Sequence, residues 1–137
     1  MSMLDLIRSR RSVRSFDGKS FPKETAIRIL KYAESTDNPY NIPITWKLLD
    51  AGEFGLNSPV ITGTDIYIAG KLPRAPHAEE AFGYAFEKVV LFAQSLGVGT
   101  TWIGGTMNRD AFEKAIGLSA GEMDPSYKTE CVTELSP

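Results

Sequence analysis

The chain has 137 residues, 42% apolar and 23% charged, with a formal net charge of −2 and a single cysteine. That length suits one domain and excludes two of ordinary size, and the composition excludes both a disordered chain and a strongly basic nucleic-acid binder. The longest uninterrupted apolar run, Val89–Ala93, has five residues, far short of the ~18 that a membrane-spanning helix needs. Cys131 alone forms no internal disulfide, so nothing in the cysteine content suggests an oxidising compartment, and a cytoplasmic location is expected.

In chain order, Ser2 is placed to cap a short helix over Met3–Ser9, with Asp5 in its first turn favouring the helix dipole. Ser12–Ser20, with Gly18 and several hydroxyls, reads as a connection. Pro22 then opens a helix over about Lys23–Ser35, whose apolar face is read as Ala26, Ile27, Leu30 and Ala33. Asp37–Pro43 is a loop by its Asn and Pro content, and Ile44–Leu49 and Asp65–Ala69 are strands by their β-branched and aromatic residues. From Ala78 to Leu96 apolar residues recur at helical spacing, predicting a long, largely buried helix that Gly97 ends. Val98–Ile103 predicts a further strand, and Asn108 caps a last helix, Arg109–Ile116, stopped by Gly117. Helices and strands alternate without strict βαβ regularity, which favours an α+β fold over α/β.

The charge is unevenly spread. Residues 1–28 carry seven bases, including Arg8, Arg10, Arg11 and Arg14, against the three acids Asp5, Asp17 and Glu24. The sharpest local feature is Arg10-Arg11-Ser12-Val13-Arg14-Ser15-Phe16. Guanidinium forks and a serine hydroxyl at the end of a short helix suit the charge and acceptor oxygens of a phosphate monoester. A solvated basic surface accounts for the same pattern. A transit peptide is opposed by Asp5 and Asp17, and a nucleic-acid arm by having only Phe16 as a nearby aromatic.

The second feature, Gly97–Thr106, is neither a dinucleotide fingerprint nor a P-loop. It offers a strand ending in Gly104 and Gly105, where bare backbone could approach a flat ligand; a plain strand-to-helix turn explains it equally. His77 has no paired cysteines to complete a metal site, and no side chain is recognisable as an acid–base catalyst. Chemistry carried by a cofactor would explain that.

Taken together and in this order, Arg10–Phe16 (RRSVRSF), the long Ala-rich helix and Gly97–Gly105 (GVGTTWIGG) resemble the FMN-dependent nitroreductase family, most closely its clostridial-type branch. Asn38–Pro43 (NPYNIP), His77–Tyr84 (HAEEAFGY) and Thr106–Phe112 (TMNRDAF) add to the likeness, which runs from about Met3 to Met123.

The resemblance implies a mixed sheet flanked by helices, with the long central helix at a homodimer interface where FMN binds. It implies that Arg10, Arg11, Ser12 and Arg14 hold the FMN phosphate and that Trp102, Ile103, Gly104 and Gly105 lie along the flavin ring. Asn38 is a loose echo of a further flavin-contacting loop. The implied chemistry is ping-pong: NAD(P)H reduces FMN and leaves, and a small-molecule acceptor such as a nitroaromatic or quinone replaces it. No catalytic side chain, metal, nucleic acid or membrane is implied.

The likeness fades after Met123. The chain therefore divides into an FMN-binding part, residues 1–123, and a divergent tail, residues 124–137 (DPSYKTECVTELSP), expected to be poorly ordered. That tail reads as a truncated or frame-shifted end, leaving the fold incomplete at its C-terminus. The alternative is a truncated, non-catalytic remnant, acting at most as a flavin-binding or protein-interaction module.

Overall fold

The computed structural model of the chain describes residues 2–12, 22–50, 66–103, 117, 122–123 and 132–136. Helix α1 spans Met3–Ser9 and starts in a reciprocal cap: the Asp5 amide donates to Ser2 Oγ at 3.2 Å, and the Ser2 amide donates to Asp5 Oδ2 at 3.2 Å. Helix α2, Lys23–Ser35, follows Pro22, whose fixed φ suits a helix entry. It buries Ala26, Ile29 and Ala33, while Ile27 is exposed. The apolar face therefore lies one position round from the expected one: at 100° per residue, Ile29 and Leu30 flank the line through Ala26 and Ala33, and Ile27 falls to its side.

Strand β1 (Thr45–Asp50) pairs antiparallel with β2 (Ile66–Pro73) in the register Thr45↔Lys71 to Asp50↔Ile66. Helix α3, Ala78–Ser95, is the long helix expected from the periodicity. It ends where Gly97 takes φ +76°, with Gly97 N–H donating to Gln94 O and Val98 N–H to Ala93 O, both at 3.0 Å. This paired closure satisfies carbonyls the helix cannot, and the left-handed residue it requires is the glycine. Strand β3, Gly99–Ile103, follows at once.

Val132–Ser136 form β5, which lies between β2 and β3 and pairs antiparallel with both, and Glu122–Met123 form a short β4 against the end of β2. No hydrophobic alternation marks residues 132–136 in the sequence; their place comes from ladder hydrogen bonds of the backbone, which any residue but proline can offer. The strand order is β1-β2-β5-β3. Since β2 and β3 both run against β5, they are parallel to one another, and α3 is the crossover between them. All pairings between the named strands are antiparallel. Among the described residues the expected mixed character shows as one parallel bridge, Ser12↔Thr100, at the β3 edge. The expected helix Arg109–Ile116 and Cys131 lie outside the described residues.

The core sits between the sheet and α2 and α3. From β1 and β2 it takes Trp46, Ile68 and Leu72, and from α3 Phe82, Ala85, Phe86, Val89, Val90 and Ala93. Trp46, Phe82 and Phe86 form an aromatic triangle with ring centroids 5.1–5.4 Å apart, and Tyr32 of α2 stacks on Phe92 of α3 at 4.2 Å. The opposite face of the sheet also buries Leu49, Tyr67 and Ala69. Burial on both faces explains why β2 reads as a continuous apolar run rather than an alternating one.

Candidate functional site

Helix α1 docks on α3 by burying Leu6, and Gln94 Nε2 donates to Ser9 Oγ at 3.3 Å. That docking delivers the basic segment to the sheet. Arg10 is the C-cap of α1, extended at φ −65°, ψ 132°, and its amide donates to Leu6 O at 3.0 Å. Two residues on, Ser12 makes its parallel bridge with Thr100, the second residue of β3. The Arg10 guanidinium spans the junction: Nη1 donates to Ser12 Oγ at 3.3 Å, and Nη2 to Thr100 O and Oγ1 at 3.4 and 3.3 Å. Thr100 is buried, and Arg11 and Ser12 are exposed.

The two features singled out in the sequence thus meet in space although Arg10 and Thr100 are 90 positions apart. From Thr100 the strand runs on through Trp102 and Ile103, whose backbones pair with Thr133 and Val132. At the usual strand rise, Ile103 lies about 10 Å beyond Thr100. Arg14, Gly104 and Gly105 lie outside the described residues. The donor set of Arg11 and Ser12, two adjacent exposed residues offering a guanidinium and a hydroxyl beside a second guanidinium, has the charge and donors an anionic oxygen group requires.

Asn38 is not brought to this cluster. It is 7% exposed, and its carboxamide closes its own loop: Nδ2 donates to Ile42 O at 2.9 Å, and Oδ1 accepts from the amides of Tyr40 and Ile42 at 3.1 and 3.3 Å. An Asn that satisfies three backbone groups of its own turn is a loop former. The open cleft beside it, about 360 Å³, is lined partly by Glu34, Asp37 and Asn41. His77 starts α3 in the left-handed conformation at φ 65°, lies 2.6 Å from Glu80 through Nδ1, and stacks on Tyr40 with centroids 4.7 Å apart. Among the described residues no group of three or more His, Cys, Asp or Glu could hold a metal ion, and no helix is long and apolar enough to cross a membrane.

Sequence reasoning missed Thr100. A threonine in a strand carries no signal that its hydroxyl and carbonyl will receive an arginine from the other end of the chain.

Comparison with known proteins agrees with this architecture. Residues 2–121 match the family model described as "Putative TM nitroreductase". No curated protein is significantly similar in sequence. Among solved structures, a nitroreductase family protein from Clostridium novyi NT superposes with a TM-score of 0.75 at 17% identity, over 99% of this chain and 84% of that one. A nitroreductase-like family protein from Bacillus cereus gives 0.71 at 22% identity, over 99% and 85%. A "putative nitroreductase in complex with FMN" from Desulfovibrio desulfuricans gives 0.75 at 18% identity, over 99% and 86%. With the family model covering most of its length and the α+β fold shared with these structures, the chain belongs to the nitroreductase family.

Proposed function

We propose that this protein is an FMN-dependent oxidoreductase of nitroreductase type. It takes hydride from NAD(P)H and delivers it to a small acceptor such as a nitroaromatic or quinone. The observation that carries the reading is the Arg10–Ser12 segment bridged to the start of β3, with Ile103 leading from the far end of that strand toward Gly104 and Gly105. A phosphate-holding group at one end of a strand and bare backbone beyond the other suit an elongated ligand with an anionic end and a flat end. FMN has that shape. The D. desulfuricans relative is described in complex with it.

In this reading Arg11 and Ser12, with Arg14, hold the phosphate by charge-assisted hydrogen bonds, and Arg10 belongs to the same group. Trp102, Ile103, Gly104 and Gly105 line the ring. FMN, when bound, supplies the redox centre, so the protein's own part is to bind, orient and shield it. No side chain is assigned a proton transfer. Asn38 is assigned to its loop rather than to the flavin.

The active form is proposed to be a cytoplasmic homodimer. The apolar stripe Met3, Leu4 and Ile7 on α1, more than half exposed at each residue, supports association. The buried side of α3 is already covered within the chain, so the dimer contact falls on α1 and the outer surface of α3.

Purified protein is expected to be yellow, or to become so with added FMN, and to be bleached by NADH or NADPH without oxygen. Protein that takes up no FMN would overturn the proposal. FMN uptake without bleaching by either nucleotide would favour a non-catalytic flavin-binding module instead.

A further inference from the structure

Thr100 is 3% exposed, and a buried hydroxyl needs a partner. This one finds it at the other end of the chain: Arg10 Nη2 donates to Thr100 Oγ1 at 3.3 Å and to Thr100 O at 3.4 Å. Among the described residues β3 ends the strand order, so its outer backbone edge is open to the Arg10–Ser12 segment, and Ser12 bridges to Thr100 there. Nη2 is thus spent on one residue. Nη1 donates to Ser12 Oγ at 3.3 Å and keeps its second N–H, while Nε is closed to solvent and has no partner among the described residues.

We infer that Thr100 is a positioning residue for the phosphate site: it holds Nη2 of Arg10 and so presents the free Nη1 N–H, on the Ser12 side, to the phosphate. The inference rests on the FMN reading above, in which Arg10 is itself one of the phosphate ligands. An arginine side chain is costly to immobilise, and a site that has already fixed it loses less on taking up its ligand. Each contact to Thr100 is at the long end of the usual range and weak by itself. Together they hold one corner of a planar, rigid fork, and holding one corner sets the direction of the rest. Any residue at position 100 supplies the carbonyl; the hydroxyl requires threonine or serine. Valine there leaves Nη2 with one of these two acceptors and the guanidinium free to turn about it.

The test uses the full chain and compares FMN with riboflavin, which lacks the phosphate, by quenching of flavin fluorescence. The variants are Thr100→Val, Thr100→Ser, Arg10→Gln and the double variant Arg10→Gln/Thr100→Val. Arg10→Gln, which removes a charged phosphate ligand, is expected to weaken FMN binding roughly tenfold to a hundredfold. Thr100→Val keeps the shape of threonine without its hydroxyl and should cost roughly threefold to tenfold. Thr100→Ser, which keeps the hydroxyl, should stay within about twofold of wild type. In the Arg10→Gln background Thr100→Val should add less than about twofold, because Thr100 acts through the guanidinium. Riboflavin affinity should stay level throughout.

A silent Thr100→Val, a Thr100→Ser as weak as Thr100→Val, or multiplying losses in the double variant would each overturn the positioning role. So would an equal loss of riboflavin and FMN in Thr100→Val, which marks a general structural effect. If Thr100→Val does not fold, as judged by circular dichroism, Thr100→Ala takes its place with the same expectations. Wild-type protein that binds riboflavin as tightly as FMN would instead sink the phosphate reading on which the inference rests, a result separate from any behaviour of the variants.

Discussion

Gly70→Ala tests how the sheet and the long helix are fitted together. A Cβ on Gly70 would overlap Cε2 of Phe82 and come within 2.9 Å of its Cζ and 3.2 Å of Cε3 of Trp46. The Phe82 ring cannot swing aside freely: it is fully buried and lies against Trp46 and Phe86, with centroids 5.4 and 5.1 Å away. Overpacking of this kind costs about 1–3 kcal/mol, and the stiffer unfolded chain of alanine returns less than about 1 kcal/mol. A net loss of about 2 kcal/mol is expected. At this chain length it lowers the melting temperature by roughly 8 °C.

Urea unfolding of the apoprotein, followed by tryptophan fluorescence because Trp46 lines the affected space, measures the loss. Phe82→Leu alone costs about 1–2 kcal/mol by leaving a cavity, but it clears room for the new methyl group. The double variant should therefore be more stable than the sum of the single losses by about 1 kcal/mol or more. Gly70→Ala at wild-type stability, or losses that simply add, would refute the claim that backbone and ring are in contact here.

Asn38→Ala should lower stability by about 1–2 kcal/mol, since part-buried backbone groups of the 38–42 loop lose their partners, yet leave FMN affinity unchanged. A large loss of FMN binding would return Asn38 to the flavin site. Ile7→Glu, placed on the exposed stripe of α1, should shift a dimer toward monomer in sedimentation equilibrium without lowering the monomer's stability by more than about 0.5 kcal/mol. An unchanged dimer would remove α1 from the interface.

Lys88 lies 3.5 Å from Asp37 and over the Tyr84 ring. Desolvation, the largest single influence, works to lower its pKa, but Tyr84 and Asp37 together outweigh it and hold the ammonium above its ordinary 10.5. A raised folded-state pKa stabilises below the unfolded value and ceases to do so as pH rises through the folded one. The melting-temperature difference between Lys88→Met and wild type should thus be flat between about pH 7 and 9 and shrink above about 10.5. A difference that already fades between those lower values would contradict the assignment.

Much of the helical framework is legible in the sequence. The Ser2–Asp5 cap, Pro22 ahead of α2 and Gly97 after α3 are local signals, acting between residues at most a few positions apart. Each set its helix boundary as expected. The facing of α2 was less so: Ile27 and Ile29 are equally apolar, and only packing against α3 chose Ile29 for the core.

What only the tertiary structure decided is non-local. β5 carries no periodic signal, yet lies between β2 and β3 because the backbone ladder on each side accepts it. Gly70 became a required glycine only when Phe82 was laid across it. The sequence by itself determined that Arg10, Arg11 and Ser12 offer charge and a hydroxyl that suit an anion, since that chemistry belongs to the residues themselves. That Arg10 turns its donors onto Thr100, 90 positions away, while Arg11 stays exposed, depends on which strand the segment meets. Residue types state what a side chain is able to bind; the folded chain settles which of those bonds it makes to itself.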